Sequence, residues 1–275
     1  QQREFSMANN WHGLAFNQVP HSANEIHGDK VAKDYGFKGG LVPGVTVSAY
    51  LCHPAVEQWG AAWLKGGAAD VKVVSPLYDG ETFDIEILES NAERYSARLL
   101  RPDGTVSATA EVSLPAVSPA APQRRGDVVA DRDSPAPKAT LENMQRLMQD
   151  GCQAVRFRWT AEHEMHTYLN DETQLPELLQ INGGGLANMS FVLGCSNWIL
   201  ARNAYMNPWV HMATQSQNYG SIPLNTELVA EMTITDLFNK KGHEFVDAQV
   251  ALYDRDNDTC YASIDLRAIY RLRGL

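Results

Sequence analysis

Two long apolar stretches stand out in a chain whose other segments mostly alternate between polar and apolar residues. The first runs from about Val45 to Leu64 and the second from Leu186 to about Tyr205, and each is introduced by glycine, at Gly44 and at Gly183–Gly185. Both are too long for strands and apolar around most of their circumference, so they predict helices that must be covered on most faces. His53-Pro54 lies inside the first. A proline there removes an intrahelical hydrogen bond, which predicts a kink or a break into two helices. The remaining segments have the period of half-buried strands. In the first half these are Leu14–Val19, Val71–Val74, Thr82–Leu88, Tyr95–Arg101 and Val106–Leu114, with Pro102-Asp103-Gly104 as a hairpin turn. In the second half they are Val155–Thr160, Trp209–Tyr219, Glu227–Phe238, Glu244–Tyr253 and Cys260–Tyr270, preceded by a short helix over Leu141–Met148.

This order repeats. Laying Gly44 on Gly185 places Val45–Tyr50 over Leu186–Phe191, and the last hairpins match as Asp103–Ala108 on Asn257–Ala262. Two copies of strand, central helix and antiparallel meander predict an α+β fold, a double hotdog in which each apolar helix is wrapped by a curved sheet. The expected boundaries are an N-terminal repeat over 1–115, a linker over 116–140 and a C-terminal repeat over 141–275. The linker reading rests on Pro115, Pro119, Pro122, Pro135 and Pro137 set among Ala, Ser and charges.

Composition narrows the classes. Of 275 residues, 44% are apolar and 20% charged, as in a soluble globular protein, and no apolar run approaches the ~20 residues of a membrane span. Residues 1–6 lack an apolar signal core and precede Met7, so they are expected to be a cloning remnant ahead of a cytoplasmic protein. A formal net charge of −10 argues against nucleic acid as a partner, without excluding a local basic patch for one anionic ligand. Cys52, Cys152, Cys195 and Cys260 form no CxxC pair, which fits free thiols in a reducing compartment.

The candidate chemistry gathers at the start of the first helix. A polar loop carries Asn24 and His27, and a helix N-terminus offers backbone amides and a partial positive charge. The amides of Gly44 and Val45 are therefore candidate donors to a carbonyl oxygen gaining charge, with Gly185 as the equivalent in the second half. His27 is the candidate proton carrier, and Asn24 the group that orients it or a substrate carbonyl. Glu162, His163, Glu164 and His166 form the densest ionisable cluster, in which Glu162 and His166 are a candidate acid–base pair. The run His163-Glu164-Met165-His166 is one residue short of the zinc motif His-Glu-x-x-His, so no metal is expected. Lys240 and Lys241, with Arg271 and Arg273, or Lys33 and Lys38, are candidates to meet phosphates. His243 reads as a surface histidine beside a hairpin, and His211 lies in a strand-like segment.

The succession of Asn24 and His27, Gly36-Phe37, Gly40-Leu41-Val42-Pro43-Gly44 and an apolar helix resembles the MaoC-like family. That family includes the (R)-specific enoyl-CoA hydratases and hydroxyacyl dehydratases. Pro76–Gly80, Lys241–Val246 and Ala268–Tyr270 look like its strands. The family's loop Asp-x-Asn-Pro-x-His corresponds to Ser22-Ala23-Asn24-Glu25-Ile26-His27, so Ser22 stands at the aspartate position and Glu25 at the proline. The second loop, Ala161–His166, matches neither the spacing nor the Asn-Pro. Glu25, Asp29 or the Glu162/His166 cluster would have to supply the missing carboxylate. The resemblance implies a hydro-lyase of fatty acid metabolism acting on a small-molecule acyl thioester, with acyl-CoA as substrate and no cofactor. Homodimer formation is left open, and so are three other readings. These are a hotdog thioesterase, for which only Glu57 offers a carboxylate on a central helix, a non-catalytic acyl binder, and a lyase on a non-thioester substrate.

Overall fold

A computed structural model describes residues 7–274; the expected remnant at 1–6 lies outside them. Strands β1 (Trp11–Leu14), β2 (Ala68–Val73), β3 (Thr82–Ser90), β4 (Arg94–Leu100) and β5 (Val106–Ser113) belong to the first repeat. Strands β6 (Val155–Trp159), β7 (Val210–Asn218), β8 (Thr226–Lys240), β9 (His243–Asp254) and β10 (Cys260–Arg271) belong to the second. They form one ten-stranded sheet in the order β1-β3-β4-β5-β2-β7-β10-β9-β8-β6. The order of the first five is mirrored in the last five, and the repeats join through antiparallel β2 and β7, from Ala68↔Gln217 to Lys72↔Ala213.

Helices α1 (Asp29–Asp34), α2 (Gly44–Trp59), α3 (Ala61–Gly66), α4 (Leu141–Asp150) and α5 (Met189–Asn203) complete the fold. The central helices α2 and α5 pack against each other and against the sheet. Every residue from Gly44 to Val56 is buried, as the unbroken apolar circumference requires. This is the double hotdog expected from the repeat.

Three expectations shift. The first helix continues through Pro54 and ends before Gly60, whose φ of 58° is easily adopted only by glycine. Burial on all faces outweighs the one lost hydrogen bond, which costs roughly 3 kcal/mol. The first strand is β1 at Trp11–Leu14, ahead of the expected Leu14–Val19. The proline-rich segment has no helix or regular strand, yet it is fastened to the second repeat. Buried Glu231 accepts hydrogen bonds from the amides of Arg125, Gly126 and Asp127 at 2.7, 2.8 and 2.7 Å.

Candidate active site

His27 ends a single 3-10 turn, Glu25–His27, between the N-terminal loop and α1. Its Nδ1 lies 2.7 Å from the carbonyl oxygen of Leu41. A carbonyl only accepts, so Nδ1 carries the hydrogen and Nε2 is left as the basic nitrogen. Burial pulls the pKa of His27 down, against the opposing pull of the Leu41 carbonyl, so the ring is neutral near pH 7. No carboxylate is within hydrogen-bond reach of it among the described residues. Ser22 Oγ accepts from the Asn24 amide instead, and Asp29 Oδ1 accepts from the amide of Gly40.

His27 lines a mostly apolar cavity of about 310 Å³ with Leu41, Gly44, Val73, Leu77 and Ile269. Gly44, the first residue of α2, reaches this cavity, whereas Val45 does not line it. The first intrahelical bonds of α2 come from the amides of Thr46 and Val47 to Pro43 O, leaving those of Gly44 and Val45 without an acceptor among the described residues. The helix start thus has two unpaired amides, and its first residue lines the same cavity as His27.

The same cavity is lined by His211, from the opposite repeat. Sequence reasoning assigned it no role. It is 7% exposed, and its ring packs against Gly44. Its Nδ1 is 2.8 Å from Asn197 Oδ1 on α5, so Nδ1 donates and Nε2 carries the lone pair. That Nε2 is buried with no hydrogen-bond partner in the protein. Burial, reinforced by nearby His27, pulls the pKa of His211 down to about 3. A bulge brings it inside. β7 pairs Ala213 with Arg267 and then His211 with Ala268, leaving Met212 unmatched. Beyond the bulge the buried positions are Thr214, Ser216 and Asn218, and strict alternation from them would have turned His211 outward.

Asn24 does not address His27 or the cavity. Its Nδ2 donates to Trp209 O at 2.8 Å and its Oδ1 accepts from Trp209 N at 3.0 Å, clamping the His27 loop to the residue before β7.

The second repeat does not reproduce the open helix start. The N-cap of α5 is Asn188, whose Oδ1 accepts from the amides of Ser190 and Phe191, and Gly185 lies ahead of the helix in a turn at φ 66°. The cluster before it also disperses. His166 Nδ1 bonds His163 O at 2.7 Å, and His163 sits among Trp159, Phe191 and Trp198 with its pKa lowered by burial to about 4. Glu162 and Glu164 are exposed, and neither Glu162 nor His166 lines the cavity. The structure therefore does not join these residues to His27.

Lys240 and Lys241 are exposed at the β8–β9 turn, beside His243, which does line the cavity. On the other side of His27 a larger groove is lined by Glu25, Asp29, Asp34 and Asp79. That groove carries these four carboxylates and one lysine, Lys30, whereas Lys240 and Lys241 stand at a turn next to a cavity-lining histidine. Glu57 stands at the far end of α2, 3.5 Å from His53 Nε2. At 1.5 Å per residue that is about 20 Å from Gly44 along the helix.

Among the described residues no three His, Cys, Asp or Glu side chains group as metal ligands, and no helix is long and apolar enough to cross a membrane. No protein-family model and no curated protein sequence matches the chain. Solved structures do match in fold. A conserved hypothetical protein of Mycobacterium tuberculosis, described as a double hotdog, aligns with a TM-score of 0.57 at 11% identity over 96% of each chain. A protein of Chloroflexus aurantiacus, provisionally described as a MaoC-domain dehydratase, aligns with a TM-score of 0.56 at 9% identity over 98% of this chain and 97% of that one. The tesB protein of Mycobacterium avium subspecies paratuberculosis aligns with a TM-score of 0.51 at 12% identity over 96% and 93%. The chain has the double hotdog fold, shared by these three proteins.

Proposed function

We propose that this protein is a hydro-lyase that adds water to, or removes it from, an acyl thioester, with acyl-CoA as the favoured substrate. The observation that carries the reading is the neutral His27 beside an apolar cavity that also contains the open N-terminus of α2. An acyl chain fills the cavity, and its thioester carbonyl accepts from the Gly44 amide. The positive end of the helix stabilises the enolate oxygen that forms when water adds to the β-carbon. His27 Nε2 takes the water proton and returns it to the α-carbon, and the reverse sequence dehydrates. The phosphates of the carrier lie on the Lys240/Lys241 side, because the opposite flank presents carboxylates.

A thioesterase on this fold would use a carboxylate on the central helix to activate water. The distance of Glu57 from the cavity counts against that reading. The test is incubation of the full chain with crotonyl-CoA and longer enoyl-CoA, following loss of the conjugated double bond and appearance of free thiol in parallel. Loss of the double bond without thiol is expected. Thiol release from saturated and unsaturated acyl-CoA alike would replace the proposal by the thioesterase, and binding without turnover would leave an acyl-binding protein.

A further inference from the structure

His211 is a buried polar side chain that lines the cavity and whose Nε2 has no partner in the protein. A buried acceptor left without a donor costs free energy, so the position asks for a ligand that brings one. The surroundings maintain the arrangement. The β7 bulge turns the ring inward, Asn197 fixes the hydrogen on Nδ1, and the missing side chain of Gly44 makes room for the ring at the start of α2. The titratable groups that share the cavity wall with it are His27, from the loop before α1, and His243, from β9; no carboxylate, lysine or arginine lines the cavity.

We propose that His211 is a second proton-accepting catalytic residue, its Nε2 and that of His27 each accepting one hydrogen of the same water molecule. The inference rests on the hydro-lyase reading and supplies what that reading lacks, a partner for His27 where Ser22 stands in place of a carboxylate. The two imidazoles line the same cavity, and each has its Nδ1–H tied to a fixed acceptor, so the nitrogen left with a lone pair is Nε2 in both. Water held by both hydrogens directs its oxygen lone pair at the β-carbon. As the C–O bond forms, one O–H bond breaks and its proton passes to Nε2 of one histidine, while the C=C electrons move to the thioester oxygen. The enolate then collapses, the N–H bond breaks and the proton goes to the α-carbon. The other histidine holds the remaining hydrogen throughout and keeps the new hydroxyl in place. No oxidant, reductant or cofactor enters the balance.

The test is the pH profile of enoyl-CoA hydration by the wild-type chain and by H211Q, H27Q and N197D. H211Q is expected to lower kcat by about 10²–10⁴-fold with little change in KM, as is usual when a proton-transfer group is removed. N197D places a carboxylate on the Nδ1–H of His211 and is expected to shift the acid limb of the kcat profile upward in pH, which loss of packing would not do. N197D is close to the wild type in shape and gives a readout independent of whether H211Q folds. A folded H211Q with wild-type kcat overturns the role of His211, as does an N197D profile with an unmoved acid limb. Wild-type protein that hydrates no enoyl thioester overturns the underlying reading instead, and the two failures are told apart by the wild-type control.

Discussion

Gly44 and His211 are in contact across the two repeats. A β-carbon added to Gly44 would overlap Cδ2 of His211 and stand 2.8 Å from its Cγ. The glycine that opens α2 is thus a space reserved for an imidazole from the other half of the chain. Gly44→Ala is expected to destabilise by about 1–3 kcal/mol, the usual result of overpacking a core. Denaturant unfolding checks this, and crotonyl-CoA turnover should fall along with it. An unchanged midpoint would mean that the ring yields freely.

Leu41 O holds Nδ1 of His27, which leaves Nε2 as the only ring nitrogen free to take a proton. His27→Gln removes the basic nitrogen and is expected to lower kcat by about 10²–10⁴-fold with KM and thermal stability close to wild type. Steady-state kinetics on enoyl-CoA decides it; a proportional rise of KM at constant kcat would assign His27 to binding instead.

Asn24 ties two distant segments together with paired bonds to the backbone of Trp209. Asn24→Ala leaves a buried carbonyl and a buried amide without partners, each worth about 1–3 kcal/mol when left unsatisfied. A lower Tm is expected. If Asn24 instead oriented substrate, the variant would lose turnover with its Tm unchanged.

Buried neutral histidines set a pH dependence of stability. His53, His163 and His211 have pKa values lowered by burial to about 4, 4 and 3, from 6.5. Below pH 6.5 the unfolded chain binds protons that the native rings refuse, so stability is fully present above the unfolded pKa and is lost as pH falls toward 3–4. His53 and His211 each contribute a slope of up to about 1.4 kcal/mol per pH unit in that window, and the half-buried His163 less. Thermal melts between pH 7 and pH 4 measure the sum, and H211Q should flatten the curve. An equal slope in that variant would show that the ring is protonated in the native protein.

Glu231 is 2% exposed and accepts three backbone hydrogen bonds from the segment between the repeats. Glu231→Ala is expected to free residues 124–128. Limited proteolysis should then cut there in the variant and spare the wild type.

Alternation along the strands and the all-round apolarity of two segments made the double hotdog legible, because both signals are local and survive without knowledge of neighbours. The loop with His27 and the glycine at the start of α2 were legible for the same reason: turn residues and helix starts are written in a few adjacent positions. The partner of His27 was not. The reading sought a carboxylate, at Glu25 or Asp29 close by in sequence or at Glu162 in the second half, whereas the side chain that shares the cavity with His27 is an imidazole 184 residues away, the difference between positions 211 and 27. Strand periodicity would even have turned His211 outward; only the bulge at Met212 reverses it.

The sequence by itself determined two copies of one unit, the helices at their centres and the histidine before the first of them. Tertiary structure alone decided that α2 starts open while Asn188 closes α5, that Asn24 grips Trp209, and that two imidazoles share one cavity. Side-chain period is a property of neighbours along the chain. Strand register and the contact between repeats are settled only when residues nearly two hundred positions apart are packed together.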